Sequence, residues 1–301
     1  PAKWIWLPSE RTLPNTVVLF RSAIDVVGTP SEASIELTAE SRYRLWVNGA
    51  LLQFGPAPAD PRWPDVDTVD LSSVVSEGRN ELIVEVLYYG HGDGTWVMGT
   101  PGLIARGHIQ SDEPVGIATD ESWECRVDRA RTPVRPKRWF LRALQEIYDQ
   151  RYAAEDDRRP WHRARELDCG ANQPAICSDY PDYLAESAPQ KPAACFLRRR
   201  QIPPLDTSTV AYANPLYADR IRWKGDPEDW YDYRIPNLFE FGAELSVETP
   251  VEIPAAASEK DAAVVTYDLG AQIVGWPVID VEAPEGTIIE ISLQEGHDPR
   301  K

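Results

Sequence analysis

The sequence predicts an all-β protein. Three observations carry this: apolar and polar residues alternate over strand-length stretches, clusters of Gly, Pro, Asn and Ser separate those stretches, and eleven Trp, twelve Tyr and 27 Pro stand against one Met. Aromatic side chains pack on pleated surfaces and Pro punctuates them, so this composition belongs to many short strands and turns. At 301 residues the chain has room for two domains, each with its own core.

Near the start, Trp4-Ile5-Trp6, Thr16 to Arg21, Ala33 to Ala39, Tyr43 to Val47 and Glu81 to Leu87 are strand-length and mostly alternating. Their spacing suits an antiparallel Greek-key or jelly-roll sandwich over residues 3–125 rather than βαβ units. Asn48-Gly49 predicts a type I′ turn, because both residues tolerate positive φ, and makes Tyr43 to Val47 and Ala50 to Phe54 neighbours. Residues 126–205 give a weaker pattern. Arg138 to Leu144 fits a short helix or a strand, and Cys169 to Pro192 reads as a long surface loop rich in Pro, Asp, Ser and Ala. Arg198-Arg199-Arg200 reads as a solvated strand edge or as partners for nearby carboxylates.

A second domain is expected from near Ile202, with an irregular insertion between Asp226 and Phe241. Toward its end, Tyr267 to Leu269, Val278 to Val281 and Ile288 to Leu293 flank the Pro284/Gly286 turn. Their alternation predicts a hairpin of two half-buried antiparallel strands within residues 264–295.

A formal net charge of -17 argues against a nucleic-acid partner, because phosphate binding needs a basic face. No apolar run approaches the roughly 18 residues of a membrane span, and no basic-then-apolar leader opens the chain, so a cytoplasmic location is expected. Cys125, Cys169, Cys177 and Cys195 match neither a zinc knuckle nor a redox pair, and buried or idle thiols are expected.

The wording of several segments resembles glycoside hydrolase family 78, the bacterial α-L-rhamnosidases. In the last segment the resemblance rests on Tyr267-Asp268-Leu269-Gly270, Gly275-Trp276, Gly286-Thr287 and Glu295. In the first it rests on Tyr43 to Gly49, Gly55-Pro56, Thr68 to Leu71 and Gly78 to Ile83. It implies two antiparallel β-sandwich domains: a galactose-binding-like jelly roll over residues 1–200 with the long loop at 169–192, and an incomplete second sandwich over 201–301. It also implies that Gln145 to Arg151 is a strand completing the first sandwich and that Leu197 to Pro204 runs into the second.

The family's catalytic acids lie in a helical barrel beyond these residues, so the resemblance implies no catalytic residue in this chain. The implied function is the non-catalytic N-terminal part of an α-L-rhamnosidase-like enzyme, supporting the barrel and binding a rhamnose-containing or related carbohydrate. The implied partner is a missing C-terminal catalytic domain or a second chain, with Glu295 at that domain interface. The alternative is a free-standing carbohydrate-binding or adhesion protein without catalytic activity.

Sugar recognition stacks an aromatic ring on the apolar face of a pyranose while carboxylates and amides take its hydroxyls. Two loops have that composition, Asp60 to Asp67 and Tyr88 to Trp96, and the carbohydrate-binding candidates are Trp63, Asp65, Asp67 and Trp96. Three readings of the first loop stay open. Its residues contact sugar; or Asp65 and Asp67 ligate calcium, although the EF-hand glycine and distal glutamate are absent; or the acids cap a turn while Trp63 plugs the sandwich edge. In the second loop, His91 and Asp93 have the pairing of a general base and its orienter. No Ser or Cys nucleophile accompanies them, and the repeated Gly reads as letting the loop fold back over Trp96. Trp161-His162 reads as a buried, hydrogen-bonded His beside an aromatic. Gly270 and Gly275 are not a phosphate loop, because no Lys-Ser/Thr follows.

Overall fold

The alternating stretches of the first part of the chain become strands. The computed structural model describes residues 1–9, 12–61, 63–90, 99–132, 146–156, 158–167, 197–206, 213–225 and 239–293. The chain divides into two compact units, Pro1–Leu205 and Asp206–Lys301. In the first unit the strands are β1 (Trp4–Trp6), β2 (Thr16–Val26), β3 (Glu32–Glu40), β4 (Arg42–Val47), β5 (Ala50–Gly55), β6 (Asp65–Asp70), β7 (Gly78–Tyr88) and β8 (Gly102–Gln110). They continue with β9 (Val115–Ala118), β10 (Glu124–Val127), β11 (Arg131–Thr132), β12 (Ile147–Tyr148), β13 (His162–Arg163), β14 (Arg165–Leu167) and β15 (Arg198–Arg199). One short helix, α1 (Gln150–Asp156), follows β12.

One sheet has the order β14-β1-β8-β3-β6-β15, with β9 also paired to β8; the other has the order β13-β10-β2-β7-β4-β5. Neighbours distant in sequence are what Greek-key and jelly-roll connections produce. Period-2 alternation then sends one face of each strand inward. Tyr43, Leu45 and Val47 of β4 and Leu82, Val84, Val86 and Tyr88 of β7 share a core with Ile35 and Leu37 of β3 and Ile5 and Trp6 of β1. The Trp6 ring lies 5.6 Å from Phe20 and 6.1 Å from Tyr88, and its indole N–H donates to Thr12 Oγ1 at 2.7 Å. Each such side chain contributes about 1.5–3 kcal/mol by burial.

The expected turn is present, with φ of 50° at Asn48 and 81° at Gly49 and Val47 opposite Ala50. Asn48 does more than turn the chain. Its Oδ1 accepts the Glu81 N–H at 2.9 Å, and its Nδ2 donates to Asn80 Oδ1 at 2.9 Å. Fully buried, Asn80 also accepts from Ser76 N at 2.9 Å and donates to Ser76 O at 2.7 Å and Gly78 O at 2.9 Å. A buried amide so completely partnered fixes its surroundings.

Several expectations are corrected. β6 begins at Asp65, so Asp65 and Asp67 are strand residues rather than loop residues. Of Gln145 to Arg151, Gln145 lies outside the described residues; among residues 146–151, Ile147–Tyr148 is a strand, and it pairs with β11 instead of completing the sandwich. That completion falls to β13 on β10 and β14 on β1, from the segment after α1. His162 is exposed, not buried. Its neighbour Trp161 carries the packing, lying 4.3 Å from the Arg21 guanidinium and 4.4 Å from that of Arg126. Arg138 to Leu144 lies outside the described residues, as do Cys169 to Pro192.

The second unit contains β16 (Asn214–Trp223), β17 (Phe239–Glu244) and β18 (Asp261–Asp268), in the antiparallel order β17-β16-β18. Phe239 to Phe241, expected in an irregular stretch, thus open a strand. Trp223, Phe239 and Phe241 meet edge to face at 5.4 Å. The expected turn beyond β18 forms, with Thr287 N–H donating to Pro284 O at 3.2 Å and Gly286 at φ 86°. Its arms do not form strands: among residues 269–293 none is assigned to a sheet, and Val274 and Val278 are 95% and 94% exposed. An alternating segment becomes a strand when a neighbour takes its backbone groups, and a lone hairpin is marginal in water.

On the outer face of the second sheet, Glu85 is buried beneath Arg44 at 3.4 Å and Arg131 at 3.0 Å. Arg131 also pairs with Asp128 and, at 3.0 Å, with Glu146. Burial outweighs these cations and raises the Glu85 pKa above its ordinary value. A carboxyl raised on folding favours the native state while protonated and loses that advantage as pH climbs through its folded pKa. Stability of the parent chain relative to Glu85→Gln should therefore fall as pH rises above the ordinary carboxylate range, measured by denaturant titration at each pH. Burial likewise pushes the Cys125 thiol up to about 12. Native protein at pH 8 should leave Cys125 unlabelled by a maleimide, and denatured protein should label it fully, as read by peptide mass.

Candidate functional site

The candidate acids are positioned by strand alternation. Along β6, Asp65, Asp67 and Val69 turn inward, while Thr68 and Asp70 turn to solvent. Asp65 and Asp67 are only 6% and 3% exposed. Buried carboxylates require partners, and the basic run supplies them. β15 lies parallel to β6, with Arg198 opposite Asp65 and Arg199 opposite Val66. The same alternation aims Arg198 and Arg200 at the acids. Arg198 Nε pairs with Asp65 Oδ1, and Arg200 Nη1 donates to Asp67 Oδ1 at 2.8 Å. Arg199 stands 3.7 Å from Glu36.

Tyr43, from the facing sheet, donates its hydroxyl to Asp67 Oδ2 at 2.6 Å. Burial first, and the Asp67 charge second, hold the Tyr43 phenol well above its usual pKa, so it stays a donor. Gly55 makes room for this pair, since a methyl group there would stand 2.1 Å from Asp67 Oδ2. The Arg200 guanidinium reaches on to Ile202 O at 2.9 Å and Pro203 O at 2.8 Å. The run is therefore a set of partners for carboxylates, one of its two expected readings. A calcium ion on Asp65 and Asp67 would have to displace two arginines. Among the described residues, no group of three or more His, Cys, Asp or Glu stands together as a metal site.

Trp63 is 42% exposed, in a turn where its N–H donates to Asp60 O at 2.8 Å. Trp96, His91, Asp93 and Glu295 lie outside the described residues. Residues on either side of the Trp96 stretch are described, and one of them, Gly99, meets the Trp63 turn. Tyr89 N–H donates to Ser41 Oγ at 3.0 Å, Ser41 O–H donates to Glu40 Oε1 at 3.0 Å, and Gly99 N–H donates to the same oxygen at 3.2 Å. A methyl group on Gly99 would come within 2.8 Å of Pro61 Cβ and 2.9 Å of Glu40 Cδ. Tyr89 and Gly99 thus meet at Ser41 and Glu40, and Gly99 lies against Pro61. Nothing in the sequence singles out Glu40 or Ser41, because they stand at a strand-to-strand corner with no motif around them.

A two-sheet antiparallel sandwich with an aromatic turn at one end defines an all-β class with many members, and comparison narrows it. The sequence matches no protein-family model and no curated protein. The structure is similar to the glycoside hydrolase family 78 rhamnosidase of Bacillus sp. GL1, with a TM-score of 0.55 and 27% identity, over 75% of this chain and 22% of that one. It also matches the α-L-rhamnosidase of Aspergillus terreus, with a TM-score of 0.48 and 17% identity, over 75% of this chain and 27% of that one. The Dictyoglumus thermophilum α-L-rhamnosidase gives a TM-score of 0.47 and 15% identity, over 81% of this chain and 32% of that one. The similarity to the Bacillus sp. GL1 enzyme agrees with the resemblance to family 78 read from the sequence, and the chain spans about a fifth to a third of the length of these structures.

Removing Arg200 would leave the Asp67 charge buried beside Tyr43 alone. Arg200→Ala should cost about 3–5 kcal/mol, whereas Arg199→Ala, on the exposed side, should cost no more than about 1 kcal/mol. Urea denaturation of the two variants makes the comparison.

Proposed function

We propose that this chain is the non-catalytic sandwich region of an α-L-rhamnosidase-like glycoside hydrolase, and that its aromatic end contacts a rhamnose-containing or related carbohydrate. The observation that carries this reading is the similarity to the Bacillus sp. GL1 rhamnosidase, where 27% identity coincides with a TM-score of 0.55 over three quarters of the chain. Supporting it is the surface position of Trp63, a flat apolar ring set in a polar turn. Asp65 and Asp67 enter this reading as counterions of the arginine strand, behind the contact surface. A catalytic domain beyond these residues, carried by the same chain or by a second one, is the partner the reading implies.

Two measurements test it. The chain by itself should not hydrolyse aryl α-L-rhamnosides above background, and turnover would overturn the non-catalytic assignment. Titration calorimetry with L-rhamnose should give weak binding, with Kd on the order of 0.1–10 mM, because a monosaccharide offers few heavy atoms and its hydroxyls must leave water. Trp63→Ala should remove the heat while keeping the melting temperature. Absence of heat in the parent chain, with a destabilisation near 3–5 kcal/mol in the variant, would make the turn purely structural.

A further inference from the structure

We infer that Glu40 and Ser41 are positioning residues for the carbohydrate-contacting end, tying the backbone at Tyr89 and Gly99 to the turn that displays Trp63. The inference rests on the carbohydrate reading above and adds to it residues that touch no sugar.

The geometry is a relay. Ser41 is 1% exposed, and its hydroxyl is used twice, accepting from Tyr89 N–H at 3.0 Å and donating to Glu40 Oε1 at 3.0 Å. The same carboxylate oxygen takes the Gly99 N–H at 3.2 Å, so one side-chain pair closes a bridge between backbone positions ten apart in sequence. Two further bonds flank it. Ser41 N–H donates to Leu87 O at 3.0 Å, and the Tyr88 hydroxyl donates to Gly99 O at 3.4 Å. Gly99 rests on the Trp63 turn through Pro61, at a distance that leaves no space for a β-carbon.

This arrangement suits preorganisation. Two bonds donated to one side-chain oxygen hold both backbone positions in place, and a surface held in its binding geometry spares the ligand the cost of ordering it. Residues 89 and 90 follow β7, residue 99 precedes β8 and residues 60, 61 and 63 precede β6, so all three lie beyond the corner between β3 and β4. Glu40 stands at that corner, its side chain bonded to the Gly99 N–H, and Gly99 in turn abuts Pro61.

The test compares Glu40→Ala, Ser41→Ala and Glu40→Gln in the full chain, using L-rhamnose calorimetry together with hydrogen exchange at the Tyr89 and Gly99 amides. Gln keeps a carbonyl oxygen that can accept both bonds, so Glu40→Gln should bind within about threefold of the parent and keep both amides protected. The two Ala variants should weaken binding by at least about tenfold and lose that protection. Equal affinity in the parent and both Ala variants would overturn the positioning role while leaving the carbohydrate reading intact. No heat in the parent would overturn both. A Glu40→Gln variant as impaired as Glu40→Ala, with its amides still protected, would also overturn it, since the effect would then follow the charge and not the bridge.

Discussion

The first unit is organised around one buried charge. Asp67 sits at the inner start of β6, where an ionised carboxylate is tolerated only if every oxygen is used. That demand recruits Tyr43 from the opposite sheet, Arg200 from just past a strand more than a hundred residues away and the missing side chain of Gly55. The consequences reach beyond the pair. β6 would otherwise present an open edge, and the arginine strand covers it, satisfying Arg198 N–H on Pro64 O and Arg200 N–H on Val66 O at 3.1 Å each. One carboxylate thereby links the two sheets and a sheet edge.

This explains how much of the fold the sequence made legible. Alternation is a local signal, and where the partner strand exists it is converted faithfully, as in Tyr43 to Val47 and Glu81 to Leu87. The Asn48-Gly49 turn is equally local. Asp65 and Asp67 were harder, because an acid facing inward is indistinguishable in sequence from one facing solvent until its counterion is located. The counterion lies in a run of three arginines separated from it by 133 positions. Spacing along the chain carries no information about such a pair.

The second unit shows the converse. Residues 269–293 contain alternation and a turn that forms, yet they lie outside every sheet, with Val278 almost fully exposed. Their pattern is that of half-buried strands, and half-burial requires a surface to bury against. Sequence thus reports the environment for which a segment is written, and structure reports whether that environment is on hand. Here the two differ, and the difference falls in the segment where the resemblance to family 78 is worded most specifically, Tyr267 to Thr287.

The two ends of the first sandwich solve the same problem with different chemistry, and the contrast bears on function. At one end Asn80, buried and neutral, spends its amide on Ser76, Gly78 and Asn48, so that turn and strand lock without any charge. At the other end the ties run to carboxyl groups: Asp65 and Asp67 pair with Arg198 and Arg200, and Glu40 accepts the Gly99 N–H. Charged ties are costlier to bury and stronger once made, which suits the carbohydrate contact proposed for that end. The aromatic turn bearing Trp63 is found at this end. Its acids, whose composition also suits sugar hydroxyls, are held in the fold by Arg198, Arg200 and Tyr43.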